Sequence, residues 1–145
     1  MYTPHSVTVY NARRDGTVWI AFLEGVFLDT SRGRGVMKNG AAGDDSAALF
    51  IPVDCRAVDP RSGQTLRFCG AGDFDRLENC GGFWTVGPRD GRSCADCFFV
   101  RGMVVEPEMS FAEIKDRYAD VFRVSSAAVR DFGGENMRHL EIGGM

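Results

Sequence analysis

The sequence predicts a mainly β fold, a small β-barrel or sandwich of about seven to eight short strands with one short helix near residues 110–118. Three observations carry this expectation. Short segments rich in Val, Ile, Phe and Trp, several of them alternating with polar residues, recur along the chain. Glycine is abundant, with 18 in 145 residues, as expected of a chain with many tight turns. A helix start signal occurs near Ser110, and no strand–helix alternation of the doubly wound kind follows.

In chain order, Ser6 to Asn11 alternates Val7 and Val9 with Thr8 and Tyr10, the period of a strand. Arg13-Arg14-Asp15-Gly16 then offers a hairpin turn, because glycine tolerates positive φ. Thr17 to Leu23 is the return strand. Gly25 interrupts it before Val26-Phe27-Leu28, and a bulge there would let the strand turn a barrel corner. Thr30 to Asp45 has four glycines and few large apolar residues, which predicts an exposed loop over about 30–45 with Val36-Met37 as a short strand piece. Ser46 to Val53 is an apolar strand that Pro52 should end or hold at a sheet edge.

Residues 54–82 form the least regular stretch, an insertion with a turn at Pro60 to Gly63, a short strand at Thr65 to Phe68 and one helical turn at Asp73 to Glu78. Phe83 to Val86 and Cys97 to Val105 are the next strands, with a bend expected at Gly102. Ser110-Phe111-Ala112-Glu113 fits a capping box, so Ser110 to Tyr118 is the predicted helix. Val121 to Val129 and Met137 to Ile142 complete the strands around a turn at Asp131 to Gly134. The expected core is Val7, Val9, Trp19, Ile20, Phe22, Leu49, Ile51, Trp84, Val86, Phe99, Val104, Phe122, Val124, Leu140 and Ile142.

The length suits a single domain over 1–145. A composition of 44% hydrophobic and 26% charged residues is that of an ordinary soluble chain. The net charge of −3 gives no basic excess to neutralise a phosphate backbone, so stable nucleic-acid binding is not expected. No run of about 18 apolar residues predicts a membrane span. Met1 to Asn11 lacks a signal-peptide pattern, and the five cysteines are odd in number, so folding in a reducing cytoplasm is the expectation.

Chemistry-bearing patterns are sparse. Cys94-Ala95-Asp96-Cys97 could share a zinc ion, with Cys69 and Cys80 as the other two thiolates, or act as a redox dithiol. Ten residues separate Cys69 from Cys80 rather than the usual two to four, and the C-x-x-C precedes a strand rather than a helix, so neither role is favoured and no cofactor is expected. His5 and His139 lie at opposite ends of the chain without a metal-binding helix motif. No nucleophile elbow, dinucleotide fingerprint or calcium loop occurs, and the expectation is a protein that is not an enzyme.

The order of the strands and the two ends of the chain carry a further signal. His5-Ser6-Val7-Thr8-Val9-Tyr10-Asn11 opens the chain, and Trp19 and Gly25 to Asp29 follow. Asp45 to Pro52 is central, Phe83 to Val86 and Gly91 to Gly102 precede the helix, and Tyr118 to Val129 and Asp131-Phe132-Gly133 come after it. The chain closes on Met137-Arg138-His139-Leu140-Glu141-Ile142-Gly143-Gly144. In this order it resembles the head–tail connector, or head-closure, proteins of tailed bacteriophages, found among the joining genes of siphophages and of prophages in gut Firmicutes. The segment 54–82 departs from the commoner pattern in being longer and cysteine-bearing.

The resemblance implies a virion structural protein of the phage neck, a stopper-like barrel with a long loop, made in the host cytoplasm. Its partners would be the portal with its adaptor, the tail proteins, and further copies of itself in a hexameric or dodecameric ring, with transient contact with packaged DNA and no membrane. Thr30 to Asp45, with Arg32, Arg34 and Lys38, would be the assembly loop. The alternatives are another neck, minor capsid or tail-completion protein, or a small zinc- or ligand-binding β-barrel outside phage biology.

Overall fold

The computed structural model describes residues 3–13, 16–31, 46–87, 97–106, 109–130 and 139–145. The architecture is mainly β, as the sequence predicts. Its elements are β1 (His5–Ala12), β2 (Val18–Ser31), β3 (Ser46–Pro52), β4 (Arg56–Val58), β5 (Thr65–Phe68), α1 (Ala71–Arg76), β6 (Phe83–Trp84), β7 (Cys97–Arg101), α2 (Phe111–Arg117), β8 (Val121–Arg130) and β9 (His139–Gly144). Hydrogen bonding runs β1-β7-β8-β9-β3-β2, and β2 pairs back onto β1, closing a six-stranded antiparallel barrel. From β2 the sheet continues outward through β4 and β5 to β6, which joins β5 in parallel, and these three short strands form an arm.

β2 is long enough to serve β1 and β3 in succession because Gly25 changes its phase. Ala21 and Leu23 face the core before it, and Val26 and Leu28 face the core after it. The β1–β2 register slips at this point, and Gly25 has φ +82°, a value that L side chains rarely adopt. The bulge expected at Gly25 is therefore present. Strand alternation then fills the barrel from all sides with Val7, Val9, Leu49, Ile51, Phe99, Phe122, Val124, Leu140 and Ile142. Gly144 occupies an inward position beside Phe99 and Phe122, where a side chain would collide with both.

The opposite faces of β1 and β7 do not meet water. Tyr10, Ile20, Phe98, Val100 and Val121 form a second apolar cluster beneath Ile114 of α2. Tyr10 stacks on Phe98 with ring centroids 4.6 Å apart and donates its hydroxyl to the Glu106 carbonyl at 2.8 Å. Thr8, also buried, donates to the Gly102 carbonyl and accepts from Val104 N–H, tying down the β7–α2 connection. Half of the predicted capping box is formed: Glu113 N–H donates to Ser110 Oγ at 3.2 Å, while Glu113 Oε1 accepts from the Ser110 hydroxyl instead of from the Ser110 backbone N–H.

Three expectations are corrected. Trp19 is only half-buried, because its register partner is Asn11, one step from the hairpin turn at the barrel rim, and its Nε1 donates to Thr17 Oγ1 at 3.2 Å. The strand from Cys97 stops at Arg101 rather than Val105, since Gly102 at φ +90° turns the chain. The described residues hold nine strands and two helices rather than seven or eight and one. The additional strand β4 lies in the stretch expected to be irregular, and α1, expected as one turn at Asp73 to Glu78, begins two residues earlier. The predicted turn at Asp131 to Gly134, the start of the last strand at Met137 and the strand piece at Val36-Met37 lie outside the described residues.

Candidate functional site

The arm folds across the end of the barrel where β3 finishes and β9 begins. Its anchor is Asn11, an amide at the last buried position of β1. Asn11 Nδ2 donates to the Thr85 carbonyl at 2.5 Å, and Asn11 Oδ1 accepts from Thr85 N–H at 3.3 Å. One side chain thus satisfies both backbone groups of a residue that has no strand partner there. This pins Trp84 and Val86 into the barrel core. Asn11 Nδ2 also lies 3.5 Å from Cys97 Sγ.

Between the arm and the barrel end lies a cleft of about 340 Å³ lined by Ile51, Pro52, Val53, Asp54, Cys55, Leu66, Phe68, Trp84 and Leu140. The walls are apolar. Phe68 packs edge-on to Trp84 with centroids 5.0 Å apart, and Phe68 and Val53 remain exposed at the rim at 39% and 60%. Asp54 carries the cleft's one carboxylate and faces solvent. Cys55 donates its thiol to the Glu24 carbonyl at 3.1 Å. Burial, reinforced by the charges of Asp54 and Glu24, pushes its pKa up to about 11, so it is a neutral thiol and no nucleophile at ordinary pH. A second, shallower groove of about 260 Å³ lies where Met103 meets Phe22, Glu24, Arg56, Val58 and Gly63.

The candidate thiolates of the sequence do not assemble into a metal centre among the described residues, where no cluster of three or more His, Cys, Asp or Glu has ligand spacing. Cys97 is buried in the barrel core. Cys80 is buried near α1 and donates to the Phe74 carbonyl at 3.5 Å. Cys69 is half-buried after β5, and its pKa is raised to about 11 by burial, then by Asp73 and Cys80. Cys94 lies outside the described residues, as do Arg32, Arg34 and Lys38 of the expected assembly loop. His5 and His139 end a row of rings on the outer face of the barrel, His5–Phe27–Phe50–His139, with successive centroids 5.7, 5.9 and 5.6 Å apart. No described helix is long and apolar enough to cross a membrane.

Asn11 and the cleft were not singled out by the sequence. A polar residue ending an apolar-alternating strand was the only signal for Asn11. The cleft residues Val53 to Cys55 and Leu66 to Phe68 fall in or beside the stretch expected to be irregular.

Fold and cleft together define a small closed β-barrel protein with an accessory arm and an apolar surface cleft. The chain belongs to the family of unknown function DUF6751, whose model matches residues 2–145. No curated protein and no solved structure matches it.

Proposed function

We propose that this chain is a structural subunit of the neck of a tailed phage, a head-closure protein that assembles as a ring between the portal with its adaptor and the tail. The role is mechanical rather than catalytic. The resemblance in strand order and in the two terminal motifs suggests the reading, and the closed barrel is the observation that carries it. A barrel without free sheet edges between its six strands is a rigid body that can be stacked in a ring without unwanted strand pairing.

The barrel also presents what such a ring needs. Ser31 pairs with Ser46 at the open end of the β2–β3 hairpin, so residues 32–45, with Arg32, Arg34 and Lys38, connect two fixed points. The acidic net charge suits a channel through which DNA must slide without sticking.

The test is made in the phage itself. Mass spectrometry of purified virions should find the chain in neck-containing particles, and disruption of its gene should leave filled heads that leak DNA or fail to join tails. Deleting Arg34 to Ala42 should leave the Ser31–Ser46 pair and the folded domain in place and still give that phenotype. Infectious particles of normal yield from the deletion would remove the role of the loop, and absence of the chain from virions would overturn the reading.

A further inference from the structure

β5 and β6 lie side by side in parallel, so the chain leaves the end of one and comes back to the start of the other. It leaves through Cys69 and returns through Cys80, with α1 between them. The main chain of both cysteines is tied to adjacent residues of β6. Cys69 N–H donates to the Trp84 carbonyl at 3.0 Å, and the Cys80 carbonyl accepts from Phe83 N–H at 3.0 Å. A second path joins them through α1. Cys80 Sγ donates to the Phe74 carbonyl at 3.5 Å, and Phe74 N–H donates at 2.9 Å to the carbonyl of Gly70, the residue after Cys69. Burial, then Asp73, then Cys80 raise the Cys69 thiol, so the two sulfurs stand within electrostatic reach of each other. A disulfide requires Cα atoms about 4.4–6.8 Å apart, a separation open to two main chains bonded to adjacent residues of one strand.

The connection that the pair brackets has little support of its own. α1 has six residues, its N-cap is Gly70, and no side chain caps its first turn. An isolated helix so short is not stable in water. It is held by Phe74, which is fully buried, and by Arg13, whose guanidinium donates to the Leu77 carbonyl. A bond across this connection would close its loop covalently. It would also fix Phe68 and Trp84, the aromatic wall of the cleft, since one precedes Cys69 in the chain and the other accepts its N–H.

We propose that Cys69 and Cys80 are a redox-responsive pair, thiols under reducing conditions and a disulfide that staples the arm once the protein meets a low-molecular-weight disulfide such as oxidised glutathione. Cys69, the half-buried thiol, loses its proton and attacks one sulfur of the oxidant, forming a mixed disulfide and expelling one thiolate. Cys80 then loses its proton, attacks the Cys69 sulfur and expels the second. One protein disulfide and two small thiols result: two electrons pass from the protein to the oxidant, and the two protons end on the expelled thiolates. Cys80 is fully buried and has to reach only Cys69, not solvent. Of the other described cysteines, Cys55 donates to the Glu24 carbonyl and Cys97 lies in the barrel core, so neither belongs to this connection.

The test equilibrates the full-length chain with reduced and oxidised glutathione at about pH 8.5, in native buffer and in about 6 M urea, followed by acid quenching, alkylation and trypsin. Cleavage after Arg67, Arg76 and Arg89 places Cys69 in peptide 68–76 and Cys80 in peptide 77–89, while Cys94 and Cys97 share peptide 93–101. The Cys69–Cys80 link is thereby distinct from every other. It should dominate, and its equilibrium constant should be at least about tenfold higher in native buffer than in urea. A bond that folding favours must favour folding by the same factor, so the linked protein should melt at least about 4 °C above the reduced one. Cys69→Ser, at a half-buried position, should fold as the parent does and lose both the link and the rise. A native constant less than tenfold above that in urea, glutathione adducts on Cys69 without the link, a link from either cysteine to Cys94 in its place, or a linked protein that melts no higher than the reduced one would each overturn the proposal.

Discussion

Replacing Asn11 by Ala tests how the arm is held to the barrel. Among the described residues, the substitution removes the donor to the Thr85 carbonyl and the acceptor for its N–H, while Thr85 stays fully buried. Each buried backbone group left without a partner costs about 1–3 kcal/mol, so the pair is worth about 2–6 kcal/mol. That is a large fraction of the 5–15 kcal/mol by which a typical domain is stable. With an unfolding entropy of about 2.1 cal/mol/K per residue, a chain of this length loses about 3 °C of Tm per kcal/mol, which gives a drop of roughly 6–18 °C. Urea unfolding followed by tryptophan fluorescence is the assay, because Trp84 adjoins Thr85 and reports directly on the arm. Asn11→Asp sharpens it: the carboxylate can still accept from Thr85 N–H but meets the Thr85 carbonyl without a donor, so it should be no more stable than the alanine variant. An alanine variant within about 0.5 kcal/mol of the parent, the range of an ordinary surface substitution, would refute the assignment of Asn11 as the anchor.

Three further outcomes follow from the same geometry. Gly25→Ala forces a Cβ into a positive-φ position with room around it, so the cost is conformational strain alone, about 1–2 kcal/mol in thermal or urea unfolding. Gly144→Ala places a Cβ 2.8 Å from Phe122 Cβ and 2.9 Å from Phe99 Cζ, and overpacking should cost about 1–3 kcal/mol in the same assay, with disturbed ring signals of both phenylalanines by NMR. Cys55 and Cys69, with thiol pKa values near 11, should alkylate slowly at pH 8 and faster with each step toward pH 11, as read by iodoacetamide labelling and peptide mass spectrometry. Their folded-state pKa values lie above the ordinary 9.0, so their contribution to stability is present below about pH 9 and is lost as pH rises through about 11.

Where local chemistry decides the backbone, the sequence is legible. Val7 and Val9 alternate, Gly25 interrupts an apolar run, Ser110 and Glu113 are spaced for a capping box, and Leu140 and Ile142 share a face; each corresponds to the observed element. Elements held by distant partners are not legible in the same way. β4 has only three residues and exists because β2 and β5 pair with it on either side. Tyr10 reads as a solvent-facing strand residue, yet α2 and the chain leading into it cover its ring, and its hydroxyl reaches across to residue 106. The cleft is the extreme case, since its walls come from β3, β5, β6 and β9, segments as far apart as residues 51 and 140, and no local pattern announces their meeting.

Gly25 gives the fold an unusual sensitivity to chain length. Because the side chains of β2 change phase at this residue, the barrel tolerates many substitutions upstream and downstream but not a further residue inserted between Gly25 and Val26. Such an insertion would act on the strand as a shift of reading frame acts on a message, turning Val26 and Leu28 outward and Phe27 and Asp29 into the core, whereas loss of Gly25 would restore plain alternation and remove the bulge. Homologues with insertions or deletions are therefore expected to vary in the connections before and after β2 while keeping the spacing between Leu23 and Val26 fixed.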